Sequence, residues 1–233
     1  MRHRKSDAAV AVLFDIDGTL VDSNYHHVYA WCRAFAEAGI PVDAWRIHRS
    51  IGMDGGTLLD TLADGADDDA KELANDLQSR YYKEAASLLR PLPGARELLE
   101  AVEKLGVQVV LATSAPDDEL AILRDVLDCD RLVSAMTSSE DVDTAKPQPD
   151  IIRVALDRAG VEPAHAVFVG DAVWDVEACK RAGVVAVSVL SGGVSKCELL
   201  KAGAHQVFED AIDLCQHLDD TPIAALANLV GAR

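Results

Sequence analysis

The feature that most constrains this chain is a series of short valine-rich runs: AVAVLF (9–14), VQVVLAT (107–113), RLVSAM (131–136), HAVFVG (165–170) and VVAVSVL (184–190). None shows the apolar and polar alternation of a strand with one wet face, so each reads as a strand covered on both faces. Helical stretches separate them: GARELLEAVEKLG (94–106), DDELAILRDVLD (117–128), PDIIRVALDRAG (149–160) and DVEACKRAG (175–183). Several close on glycine, the usual residue just past a helix C-terminus. Strands alternating with helices call for right-handed crossovers, so the expected class is α/β with a doubly wound parallel sheet.

Residues 23–91 break that rhythm. They contain no valine-rich run, only the helical and polar segments YHHVYAWCRAFAEAGI, GGTLLDTLADG and DDDAKELANDLQSRYYKEAASLL, closed by the stiff RPLPG (90–94). The expected organisation is an α/β core of residues 1–22 and 92–233, with a smaller all-helical domain at 23–91. Because this segment leaves after the first strand and returns before the second, it should sit above the carboxyl edge of the sheet, where such folds bind ligands.

Charge narrows the partners. Across 233 residues, 39 Asp and Glu oppose 22 Lys and Arg, for a net charge of -17. Nucleic acid and anionic membranes select basic surfaces and are disfavoured, and an anionic substrate would need local cations against the global field. Five scattered cysteines without a C-x-x-C pair suggest neither a disulfide framework nor a zinc site and fit a reducing cytoplasm. The opening MRHRK followed by AAVAVLF imitates a secretory signal, but Asp15 ends the apolar run and no cleavage site follows. The chain carries no apolar run of the ~18 residues that a membrane span needs. Nothing in the sequence speaks to oligomeric state.

Four short constellations lie at or just past strand ends. In Asp15-Ile16-Asp17-Gly18-Thr19 the carboxylates stand at i and i+2, which in an extended segment project to one side. A divalent cation would make their repulsion tolerable, and Mg2+ prefers such hard oxygen ligands. The string can equally be a D-G turn with exposed carboxylates. Thr113-Ser114 places hydroxyls and backbone N–H groups at a strand-to-helix turn, suited to a phosphate oxygen or to capping the helix. Lys146 stands in AKPQPD, where the following proline holds its backbone extended. In Gly170-Asp171-Ala172-Val173-Trp174-Asp175 the two aspartates share one helical face, and they too could serve a helix N-terminus.

Taken in order, D-x-D-G-T, a strand-end hydroxyl, K-P and G-D-x-x-x-D, with a helical insertion after the first, resemble the haloacid dehalogenase-like superfamily. The flanks LFDIDGTL, AKPQPD and VGDAVWDVEACKRAG carry the match, and the architecture covers essentially the whole chain. The position of the insertion is similar to the branch of phosphoglycolate phosphatases, sugar-phosphate phosphatases and β-phosphoglucomutases. That resemblance implies a Rossmann-like core with a helical cap and a small phosphorylated metabolite as substrate. It makes Asp15 the nucleophile and Asp17 the general acid and base. It implies Mg2+ on the Asp15 carboxylate, the Asp17 backbone carbonyl and Asp171, with Asp175 in support. Thr113, with Ser114 beside it, and Lys146 would bind phosphoryl oxygens.

Within the branch, His27 in NYHHVYAW lies where mutase-like members carry a cap-hinge histidine, with Trp31 one turn on. Against a mutase, the loop SIGMDGGTLL offers no Arg or Lys for a second phosphate, and the fourth motif reads Gly-Asp where that mutase has Glu-Asp. Arg49, just before the loop, is a possible substitute anchor. Met53, Asp54 and Gly55 are candidate specificity residues. A Mg2+-dependent phosphatase is therefore expected, with a β-phosphoglucomutase-like isomerase as the alternative and a non-catalytic binding protein on this fold as the third.

Overall fold

The computed structural model describes residues 9–231. The basic segment Met1–Lys5 lies outside the described residues. Six strands form one sheet: β1 (Ala11–Phe14), β2 (Gln108–Ala112), β3 (Val133–Thr137), β4 (Ala166–Gly170), β5 (Val185–Val189) and β6 (Gln206–Phe208). Their order is β3-β2-β1-β4-β5-β6 and every pairing is parallel. The chain moves outward from β1 in one direction and returns through β4 in the other, so the carboxyl end of β1 is the crevice where the strand order reverses.

Eleven helices are described: α1 (Asn24–Glu37), α2 (Ala44–Ser50), α3 (Gly55–Leu62), α4 (Asp68–Ala85), α5 (Ala95–Lys104), α6 (Asp117–Leu127), α7 (Asp150–Ala159), α8 (Val173–Ala182), α9 (Lys196–Ala202), α10 (Ala211–Gln216) and α11 (Pro222–Gly231). The absence of alternation in the central strands has a direct cause: both faces are covered. Val12 and Phe14 join Leu98, Leu99 and Val102 of α5 on one side, while Ala11 and Leu13 join Ile151, Ile152 and Ala155 of α7 on the other. β3 departs from the expectation of double coverage. It lies at the sheet edge, and Ser134 is exposed. β6, only three residues long, is too short to register as an apolar run.

Helices α1 to α4 fill the chain between β1 and α5, and α1 packs along α4. The apolar cluster behind Val12 and Phe14 continues into them through Leu20, Trp31, Phe35, Ile47, Leu58 and Tyr82. The chain passes to and from these helices on two adjacent segments. Asp22 N donates to Arg90 O at 3.0 Å and Leu92 N to Leu20 O at 2.9 Å, with Val21 and Pro91 bridged antiparallel. Among the described residues no helix is long and apolar enough to cross a membrane, and all five cysteines are free thiols.

Candidate active site

The site begins where β1 runs out of apolar residues. Asp15 N still donates to Val169 O of β4 at 2.9 Å, and then the chain turns sharply, with the Ile16 carbonyl accepting from Leu20 and Val21. The turn needs glycine at 18: φ is 71°, and a Cβ there would stand 2.3 Å from Asn24 Nδ2 and 2.6 Å from Asp171 Oδ2. It separates the environments of the two aspartates while leaving both on one cavity of about 780 Å³.

Asp15 is 4% exposed and its Oδ1 lies 2.6 Å from Lys146 Nζ. Lys146, with no exposed surface, is also 2.8 Å from Asp175 Oδ1 and donates to Ala112 O at 3.4 Å. The loop lysine is thus fully enclosed. Burial alone would favour its neutral form, but Asp15 and Asp175 outweigh that and hold its pKa above the ordinary lysine value.

The acidic side of the cluster has too little positive charge. Asp171, at the end of β4, accepts from Thr19 Oγ1 at 3.0 Å and Asn24 Nδ2 at 2.9 Å. Asp175, in the first turn of α8, accepts from Ala172 N at 3.1 Å, so it closes the helix start and faces Lys146 at once. Burial drives the Asp15 carboxyl well above the ordinary range; Lys146 opposes this, while Asp175, Asp171 and Asp17 add to the rise. Burial, then the charge of Asp175, push Asp171 up to about 7 against its hydrogen bonds from Asn24 and Thr19. Asp15, Asp171 and Asp175 each offer an oxygen, all within 4.8 Å of one another. Three buried carboxylates beside a single ammonium fit a small hard cation such as Mg2+, which would supply the missing charge.

Asp17 faces away from that triad. Its Oδ1 accepts from Ser23 Oγ at 2.5 Å and lies 3.2 Å from His27 Nε2. Burial would raise the Asp17 pKa, but the His27 hydrogen bond and charge, with Ser23, bring it below the ordinary value. His27 responds in the opposite sense: burial would lower it, and Asp17 holds it above the ordinary value. The His27 ring stacks on Tyr82 at 4.0 Å and its Nδ1 lies 3.4 Å from Gln78 Nε2, which fixes the imidazole from the α4 side.

Thr113, buried at the end of β2, accepts from Ala115 N at 3.1 Å in the turn before α6 and does not cap that helix, and its hydroxyl proton is still available to a ligand on the cavity it lines. Ser114 Oγ instead donates to Gly52 O at 3.3 Å, linking the β2 end to the loop between α2 and α3. Met53, Asp54 and Gly55 line the cavity, with Asp54 also capping α3 through Gly56 N and Thr57 N. Arg49 is a correction. Its guanidinium pairs with Glu198 at 2.6 Å, and it is not among the cavity's lining residues, so it offers no anchor for a second phosphate. Sequence reasoning missed Thr19, Ser23 and Asn24, which hold the acidic groups, and Gln78 and Glu119, which line the cavity. The adjacency of the first three to D-x-D-G was the available signal.

Comparison with known proteins agrees with this architecture. The family model described as haloacid dehalogenase-like hydrolase matches residues 10–183. A phosphoglycolate phosphatase of Pseudomonas savastanoi pv. phaseolicola is 32% identical over 188 residues, spanning 78% of this chain and 69% of the relative. One from Rhodospirillum rubrum is 33% identical over 215 residues, spanning 88% of each. The crystal structure of a hydrolase from Pseudomonas syringae superposes with a TM-score of 0.86 at 37% identity, covering 91% of this chain and 98% of that one. With a parallel sheet that carries its carboxylates at the switch point and relatives that span most of its length, this chain belongs to the haloacid dehalogenase-like hydrolases.

Proposed function

We propose that the protein is a Mg2+-dependent phosphatase that hydrolyses a small phosphate monoester through a phosphoaspartate on Asp15. The observation that carries this reading is the enclosed Lys146, held between Asp15 and Asp175 beside Asp171, at the floor of a cavity that also holds the Asp17–His27 pair. The relatives named as phosphoglycolate phosphatases support it.

In the first step an Asp15 carboxylate oxygen bonds to phosphorus and the bond from phosphorus to the ester oxygen breaks. Asp17 delivers to that leaving oxygen the proton it shares with His27. In the second, Asp17 takes a proton from water as the water oxygen attacks phosphorus, and the bond to Asp15 breaks, releasing inorganic phosphate and restoring the carboxylate. Lys146 and the Thr113 hydroxyl bind phosphoryl oxygens, and Lys146 opposes the protonation of Asp15 that burial favours. Asp15, Asp171 and Asp175, with the Asp17 carbonyl, would hold Mg2+, whose charge offsets that of the carboxylates and the phosphate dianion. Residues 23–91 act as a cap domain over the core, pivoting on the paired segments near 20–22 and 90–92 so that closure excludes bulk water. A cytoplasmic setting suits the free thiols.

The isomerase reading needs a grip on two phosphates. Lys146 is the one Lys or Arg among the described residues lining the cavity, and Arg49 is engaged by Glu198 outside that lining, which favours hydrolysis. The test is a screen of phosphoglycolate, hexose phosphates, polyol phosphates and nucleotides read as released phosphate, with Mg2+ and with EDTA. Release that depends on Mg2+ and accounts for all substrate consumed is expected. Release unaffected by chelation, or migration of phosphate without release, would overturn the reading.

A further inference from the structure

The cavity is asymmetric in a way that the reaction does not require. Beyond Asp15 and Asp17 its lining carries Asp54, Asp76, Asp118, Glu119, Glu140 and Asp143, and among the described lining residues the only basic groups are Lys146 and His27. Both of those are already committed, Lys146 to Asp15 and Asp175 and His27 to Asp17. Lys83 pairs with Asp118 from outside the lining, and Asp54 is held by the first turn of α3. Among the described lining residues no uncommitted cation meets a negative charge on the far side of a substrate.

Glu119 is the second and independent observation. It sits in the first turn of α6, is 4% exposed and lines the cavity; among the described residues its carboxyl accepts no hydrogen bond and makes no ion pair within 4 Å, although the charges of His27 and Lys83 act on it. A carboxyl that opens on a ligand cavity without a protein donor is free to accept a hydrogen bond from what enters the cavity. Burial, the first cause, also pushes the Glu119 carboxyl up to about 7, in keeping with a group that lacks a donor. Gln78, Asn75, Ser79 and Thr57 add uncharged polar groups to the lining.

We propose that the cavity selects phosphate esters whose leaving group is an uncharged or amine-bearing polyol, the Glu119 carboxyl accepting a hydrogen bond from one of its hydroxyl or amine groups, and discriminates against leaving groups that carry a carboxylate or a second phosphate. A hydroxyl or ammonium satisfies Glu119; a carboxylate leaves it unpaired and adds a like charge. The inference rests on the phosphatase reading for its substrate class, but concerns the wall of the cavity rather than the reacting groups.

The experiment has a turnover arm and a binding arm. With saturating Mg2+, kcat/KM is measured on wild type for sorbitol 6-phosphate, glucosamine 6-phosphate, phosphoglycolate and fructose 1,6-bisphosphate. In parallel, calorimetry measures the same four ligands on the Asp15→Asn protein, where binding does not depend on hydrolysis. The first two are expected to exceed the last two by at least ~10-fold in both arms, as for a site built around a hydrogen bond and a repulsive charge. Glu119→Gln, checked for fold by circular dichroism, should narrow that ratio by raising KM for the polyol ester and improving phosphoglycolate. If phosphoglycolate is turned over and bound as well as the polyol esters, the selectivity is overturned while the phosphatase reading stands. If no ester is turned over yet the polyol phosphates still bind preferentially, the phosphatase reading fails and the selectivity survives. A ratio that Glu119→Gln leaves unchanged would remove Glu119 from the proposal.

Discussion

At the scale of single residues, the site is organised by where each charge is compensated. Lys146 can be enclosed because two carboxylates surround it, and Asp171 needs two hydrogen bonds to remain tolerable beside Asp175. At Glu119 burial, with the charges of Asp17 and Asp118, outweighs the pull of His27 and Lys83, which gives a stability prediction with a definite sign. Its folded pKa of about 7 lies above its ordinary 4.5, so the folded state holds a proton there that the unfolded state has released. Stability contributed at this position is therefore full below about pH 4.5 and falls as pH rises toward 7. Glu119→Gln is expected to raise the urea midpoint at pH 8 and to match wild type near pH 4.5. A variant that is less stable at pH 8 would mean that the carboxylate has a partner in solution. Arg49 shows the limit of reading residues singly: its place in the sequence suggested substrate, and its partner, Glu198, lies on α9.

At the scale of elements, strands set the position of the site and loops set its shape. The turn after β1 and the loop after β5 approach Asp171 so closely that glycine is required on both sides. At Gly192 a Cβ would lie 1.6 Å from Asp171 Oδ2. Gly192→Ala is therefore predicted to displace Asp171, destabilising the protein by ~1–3 kcal/mol and abolishing the rise in melting temperature expected of wild type on adding Mg2+. An unchanged Mg2+-induced rise would show that Asp171 is not a ligand. The central strands were legible because coverage on both faces leaves an unbroken valine-rich run, as in AVLF of β1 and AVFVG of β4. Exposure at the edge strand β3 was not, since which strand lies at the edge depends on topology rather than on the local run. The acidic motifs were legible by spacing along the chain. Asn24 on Asp171 and Gln78 on His27 were not, because those contacts join residues 147 and 51 positions apart, the first from α1 to the end of β4 and the second between α1 and α4.

At the scale of the molecule, a chain of net charge -17 must admit an anion. Its general field repels a phosphate ester, and attraction begins only inside the cavity, at Lys146 and the Asp15, Asp171 and Asp175 cluster. Salt should therefore help rather than hinder. Raising KCl from ~10 mM to ~150 mM shortens the screening length from ~30 Å to ~8 Å, and KM at fixed free Mg2+ is expected to fall about two-fold. A rise in KM would indicate that local attraction extends beyond the cavity mouth. The proposed function turns on one chemical event, transfer of a phosphoryl group to Asp15. The most direct test is an acid-quenched single turnover with a radiolabelled phosphate ester and Mg2+, run on wild type and on Asp15→Asn. Label recovered on the peptide containing Asp15, released by hydroxylamine, is predicted for wild type. For the variant no label is predicted, with phosphate release lower by at least ~10³-fold, as for loss of a nucleophile. Phosphate release by Asp15→Asn within about tenfold of wild type would contradict the account.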